Sequence, residues 1–281
     1  MSSNGQAPAA MDATITRYYQ EWSEESRLEL GQGRLEALRT RELIERHAPA
    51  HPARVLDIGG GAGAYAFWLA QQGYEVHLVD PSPRLVEVAR GRNASAAQPL
   101  ASCDVGDARS LAADDASVDA VLMLGPLYHL VNGDDRRAAL HELVRVLKPS
   151  GVVFGAAISR AASALDGLSR DLLGDPSFAR IVERDIRDGQ HRNPTNRIDY
   201  FTTAYLHRPE ELRVEVEAAG LRVHAVYGIE GPGWVLPDFD ARWEDPTRRD
   251  ALINVARMLE REPSLVGASA HLLVVARKQA S

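Results

Sequence analysis

The chain has 281 residues, with 39 acidic against 32 basic side chains and a formal net charge of −7. A polyanion such as nucleic acid is therefore not the expected main partner. The single cysteine, Cys103, excludes an internal disulfide, and no apolar run reaches membrane-spanning length. The expected compartment is the cytoplasm.

Residues 1–13 are small and polar and are expected to be disordered. Two helices follow, forming an N-terminal helical cap over 14–50. Tyr18, Tyr19 and Trp22 fall at helical spacing on the first, and Leu35, Leu38, Leu43 and Ile44 stripe the second. Gly31 and Gly33 break the two apart, and Pro49 and Pro52 end the second.

The apolar run Ala53–Ile58 enters the cluster Gly59-Gly60-Gly61-Ala62-Gly63, and a helix begins at Ala64. Strand, tight turn and helix N-terminus together present unpaired N–H groups to a ligand. A second strand, Tyr74–Asp80, ends in an acid, and Ser82-Pro83 caps the next helix. A third run ends at Ser102–Ala108, and a fourth, Val118–Leu124, leads into Gly125-Pro126-Leu127-Tyr128-His129. An amphipathic helix over 134–147 stops at Lys148-Pro149-Ser150-Gly151, before a fifth strand over Gly151–Ile158.

The alternation breaks at 159–207, which carries Asp175-Pro176, Asp188-Gly189 and Asn193-Pro194. This segment is expected to be an insertion of short helices and loop acting as a lid over the ligand edge. Over 208–281 the pattern resumes, with helix 209–219, strand 221–227, helix 245–262 and strand 268–277.

Strands alternating with helices predict a mostly parallel sheet covered on both faces, with the ligand at the carboxyl ends of the strands. Asp57, Asp80, Asp107 and the Gly125–His129 segment all fall at such ends, within a cofactor-binding core over 51–158. The glycine turn alone fits two ligands. As Gly59-x-Gly61-x-x-Ala64 it satisfies the dinucleotide fingerprint, and Asp80 suits the ribose diol of either ligand. Asp57 separates them, because an acid there would repel a pyrophosphate and attract a cation.

As Asp57-x-Gly59-x-Gly61-x-Gly63, the turn resembles motif I of the class I S-adenosylmethionine-dependent methyltransferases, of the type acting on small molecules. The resemblance is strongest from Ile44 to Lys148. Ser150 departs from it where glycine is more usual, a change expected to affect only the turn. The resemblance implies a Rossmann-like, seven-stranded sheet of order 3-2-1-4-5-7-6 and S-adenosyl-L-methionine as cofactor. It also implies a set of roles. Asp57, Gly59, Gly61 and Gly63 shape the methionyl site, Asp80 with Pro81 holds the ribose, and Asp107 and Ala108 meet the adenine. Leu124 lies under the cofactor, Tyr19 touches it, and Tyr128 and His129 orient a small-molecule acceptor. His191, Tyr200, Tyr205 and His207 are the candidates from the insertion, with His191 foremost.

In-line methyl transfer needs alignment and exclusion of water rather than a metal, and no closely spaced ligand set is visible. An NAD(P)-dependent oxidoreductase and a non-catalytic cofactor-binding regulator are the alternatives.

Overall fold

The computed structural model describes residues 13–21, 24–195 and 197–280, with the side chains of 19–21 and 24–26 excepted. All but the last residue of the 1–13 stretch lies outside that range; Ala13 opens a helix.

A first helix, α1 (Ala13–Glu21), is followed by a 3-10 turn (Glu24–Glu29) and α2 (Gly33–His47). The core then alternates: β1 (Arg54–Ile58), α3 (Ala64–Gln71), β2 (Glu75–Asp80), α4 (Pro83–Asn93), β3 (Ser102–Val105), β4 (Val118–Met123), α5 (Pro126–His129), α6 (Gly133–Val146) and β5 (Leu147–Ser159). The caps are local. Ser82 Oγ accepts from Leu85 N ahead of α4, with Pro83 at its first position, and Asn132 Oδ1 accepts from Asp134 N ahead of α6. β5 begins four residues earlier than the sequence suggests. Lys148–Ser150 does not simply stop a helix but bulges into the strand, and Ser150 takes φ 65°, a left-handed conformation that favours glycine.

Beyond β5 come α7 (Ala162–Ser169), α8 (Pro176–Asp188), β6 (Gln190–His191), β7 (Ala204–His207), α9 (Pro209–Ala218), β8 (Leu221–Gly228), α10 (Phe239–Glu244), α11 (Pro246–Leu259) and β9 (His271–Lys278). The main sheet runs β3-β2-β1-β4-β5-β9-β8, parallel except for β9, which is antiparallel between β5 and β8. This is the expected seven-stranded order. The sheet also carries two strands that the sequence did not reveal. Leu206 and His207 of β7 pair in parallel with Ile158 and Ser159, and β6 pairs antiparallel to β7. β9 already occupies the other side of Ile158, so β7 extends the sheet beyond the end of β4.

The sheet is apolar on both faces, as a covered parallel sheet must be. Leu273 and Val275 pack on one face with Phe67, Leu78, Leu122 and Phe154. Leu272 and Val274 pack on the other with Leu56, Val121, Leu143 and Val153. Among the described residues, no helix is long and apolar enough to cross a membrane.

Candidate cofactor and acceptor site

At the end of β1 the chain turns sharply, and Gly59 N donates to Val79 O at 2.7 Å. A side chain at Gly59 (φ 72°) would place its Cβ 2.6 Å from the Pro126 ring, and one at Gly60 would lie 2.6 Å from Asp57 Oδ2. The turn therefore closes only with glycine at these positions. It packs β1's end against α5's first residue, which joins the cofactor motif to the segment after β4.

Asp57 is 2 % exposed, and its Oδ2 has no hydrogen-bond partner. Burial, and then the nearby Asp80 carboxylate, push its pKa up to about 7. Asp80 is also buried. Its Oδ2 accepts from Gly61 N at 2.9 Å and its Oδ1 from Ser82 N at 2.8 Å, so two backbone N–H groups fix the carboxylate at the mouth of the turn. A buried acid with an unsatisfied oxygen, beside a second acid, suits a cationic group and disfavours a phosphate. The ammonium and sulfonium of S-adenosylmethionine fit that demand. Asp57 and the glycine turn would hold its methionyl end, and Asp80 its ribose diol.

The adenine-side assignment meets a stronger competitor. Asp107 accepts from Arg109 three times: from its backbone N at 2.8 Å, its Nε at 2.9 Å and a terminal guanidinium nitrogen at 2.6 Å. Against the effect of burial, Arg109 holds the Asp107 carboxyl below its ordinary range. Ala108 is buried beside it, Leu124 is half-buried against the core and Pro81 is exposed. The Tyr19 side chain lies outside the described residues.

On the acceptor side, α5 presents Tyr128 and His129, whose rings meet edge-on with centroids 4.6 Å apart. His129 Nδ1 faces Thr203 O at 3.4 Å. Burial drives its pKa down to about 4 despite that carbonyl, so its imidazole is neutral at neutral pH.

His191 does not fit the expected part of an acceptor-facing base. It is 3 % exposed, its Nε2 donates to Tyr200 O at 2.9 Å, and its Nδ1 faces Asp185 Oδ2 at 2.8 Å. Both ring nitrogens are spent on holding β6 to α8 and to the Tyr200 turn, and none is left for an acceptor. Tyr200, Tyr205 and His207 are likewise engaged. Tyr200 Oη donates to Asp175, Arg136 lies 3.9 Å over the Tyr205 ring, and His207 Nε2 meets Glu215 Oε2 at 2.9 Å.

Sequence reasoning missed a further cluster on this edge. Glu36 of α2, Glu230 after β8 and His271 of β9 bring ligand-type atoms within 4.8 Å of one another. His271 Nδ1 donates to Glu230 Oε1 at 2.6 Å, and Arg27 clamps Glu36 with both guanidinium ends. Ser269 Oγ and His271 N occupy the other Glu230 oxygen. Burial opposes the His271 charge, yet Glu36 and Glu230 hold its pKa up at about 9. Glu36, also opposed by burial, is brought down to about 2 by Arg27 and His271. With each carboxylate oxygen already engaged, the group reads as an ion-pair clasp between α2 and β9. Its members are far apart in the chain, and no local motif marks them.

The site can be set beside known proteins. A family model described as a methyltransferase domain matches residues 55–151. An uncharacterized methyltransferase of Mycobacterium tuberculosis is 39% identical over 110 residues, which are 39% of this chain and 42% of that protein. The match thus spans about two fifths of that relative's length. A ubiquinone biosynthesis O-methyltransferase of Xylella fastidiosa is 28% identical over 193 residues, 69% of this chain and 70% of its own. Among solved structures, an S-adenosylmethionine-dependent methyltransferase from Mesorhizobium loti has a TM-score of 0.58 at 19% identity, covering 87% of this chain and 100% of that one. At that identity the likeness speaks to the fold. Sheet order, glycine turn and family match agree: residues 55–151 match a methyltransferase domain, on a fold shared with S-adenosylmethionine-dependent methyltransferases.

Proposed function

We propose that the protein transfers a methyl group to a small-molecule acceptor held between the segment after β4 and the 159–207 insertion, which serves as a lid. One observation carries the reading: the buried, unsatisfied carboxylate of Asp57 at the end of β1, with a second acid beside it. That pair favours a cationic, phosphate-free nucleoside and weighs against the dinucleotide alternative. S-adenosylmethionine, when bound, supplies a methyl already activated on sulfur.

The chain's own residues then have modest tasks. Asp57 and Asp80 fix the donor, the β4–α5 turn positions the acceptor, and the insertion excludes water. His129, neutral at neutral pH, orients an acceptor oxygen or nitrogen and is too weak a base to drive its full deprotonation. The O-methyltransferase name of the Xylella relative supports an oxygen nucleophile.

Calorimetry tests the reading. S-adenosylhomocysteine should bind the full chain with micromolar or better affinity, while NADH should not bind. The opposite preference would reverse the assignment. Binding without transfer from labelled S-adenosylmethionine to any of a broad set of small molecules would favour a cofactor-binding regulator.

A further inference from the structure

The loop after β3 joins an acid and a base two residues apart. Arg109 N donates to Asp107 Oδ1, a turn that brings the Arg109 side chain back along its neighbour. The three bonds that Asp107 accepts from Arg109 are unevenly spread. Two, from the backbone N and from Nε, fall on Oδ1, and one, from Nη2, falls on Oδ2. An ionised carboxylate offers about four acceptor places, two on each oxygen. Oδ1 is therefore filled by Arg109, whereas Oδ2 takes only one bond from it. Of the two side chains Asp107 is the more open, at 25 % exposed against 10 % for Arg109.

Arg109 is itself held from behind. Its Nη1 meets Asp135 Oδ1, in the first turn of α6, at 3.2 Å. The guanidinium is thus wedged between two carboxylates, and swinging away would give up both pairings. A planar fork on one side of Asp107 also leaves its carboxylate a single orientation. The loop does not need Arg109 to stay in place. Leu111 N donates to Glu142 Oε2 at 2.7 Å, and Arg145 Nη2 donates to Leu111 O at 2.9 Å, so α6 pins the loop independently.

We propose that Arg109 is a positioning residue for recognition of the donor's base: it fixes the Asp107 carboxylate so that Oδ2 selects a nucleoside with an exocyclic amino group over one with a carbonyl at that place. Arg109 does not touch the base. It is a support for Asp107 rather than a rival to the adenine, because one amino N–H needs only the remaining place on Oδ2. A carbonyl there would set two acceptors against each other and leave both without a donor. Without the guanidinium the carboxylate turns toward water, and the two nucleosides are read more nearly alike. This inference rests on the methyltransferase reading and on Asp107 facing the adenine.

The test titrates the full chain calorimetrically with S-adenosylhomocysteine and with S-inosylhomocysteine, its deaminated analogue, which carries a carbonyl in place of the amino group. The wild type should prefer S-adenosylhomocysteine by about 100-fold. Arg109→Ala should weaken S-adenosylhomocysteine about tenfold and leave S-inosylhomocysteine unchanged, so that the preference shrinks to about tenfold. Arg109→Lys, which keeps the charge without the fork, should fall between the two. Undiminished binding of S-inosylhomocysteine shows that the variant is folded, and thermal melts give a second check. Equal weakening of both ligands, with the preference kept, would mean that Arg109 only supports the loop and would overturn the proposal. Tighter S-adenosylhomocysteine binding by Arg109→Ala would overturn it too, since Arg109 would then compete with the base. A wild type without preference would remove Asp107 from the adenine, and the role of Arg109 with it. A wild type that binds neither ligand would overturn the methyltransferase reading itself.

Discussion

Burial and the Asp80 carboxylate push Asp57 up to about 7, so its charge changes within the physiological range. An acid whose pKa is higher folded than unfolded binds more protons in the folded state. The ligand-free protein should therefore lose stability as pH rises from about 4 toward 7. A cationic ligand needs the ionised form, so its affinity runs the other way. Affinity for S-adenosylmethionine should be full above pH 7 and fall about tenfold per unit below it, as calorimetry at pH 6 to 8 would register. Asp57→Asn should flatten that profile at weak affinity and raise the ligand-free melting temperature at pH 8. Asp80→Ala removes the acceptor of the Gly61 and Ser82 N–H groups. It should cost about 100-fold in S-adenosylhomocysteine affinity and about 1 kcal/mol in stability, readable from calorimetry and denaturant melts. These two acids were legible because each ends an apolar run at a place the strand–turn–helix pattern fixes. His191 was not legible as a structural residue, since its partners Asp185 and the Tyr200 carbonyl are set by how the insertion folds back on itself.

At the scale of elements, the Glu36–His271–Glu230 clasp ties α2 to β9, the strand next to the sheet's β8 edge. His271 is held at about 9 against an ordinary value near 6.5. The stability it adds is fully present below pH 6.5 and is lost as pH rises through 9. His271→Gln should remove that alkaline limb from a plot of unfolding free energy against pH and cost about 2 kcal/mol at pH 7. Gly189, which ends α8, has φ 74°, and a Cβ there would lie 2.5 Å from Leu206 O of β7. Gly189→Ala should loosen the β6–β7 hairpin by about 1–2 kcal/mol. Faster amide exchange in 159–207 with unchanged exchange in β1 and β4 would show it. The helices that start at Ser82-Pro83 and Asp245-Pro246 were readable from sequence because their caps are local, whereas Asp175-Pro176 was read only as part of an insertion of short helices and loop, and it opens the 13-residue α8. β6 and β7 were not, because a two-residue and a four-residue strand gain their identity only from pairing with each other and with the end of β5.

At the scale of the whole molecule, Asp57, Asp80 and the Gly125–His129 segment lie along one edge of a nine-stranded sheet. That edge was readable from the rhythm of apolar runs, since right-handed crossovers leave little choice about where the ligand goes. The N-terminal helices and the 159–207 insertion were expected over that edge, but the side-chain contacts between them were not readable. Tyr18 of α1 and the Phe201 ring come together across most of the chain, and no periodic signature marks their contact. β9 carries a different kind of consequence. It fills the slot between β5 and β8 with seven paired residues on each side, yet it comes after both in the chain and is the last of the nine strands to be synthesised. Until then β5 and β8 have no shared neighbour, and the apolar side chains flanking the slot stay wet. A nascent chain halted before His271 should therefore remain open to proteases and chaperones however long it waits, and should gain resistance in a single late step when the closing strand arrives.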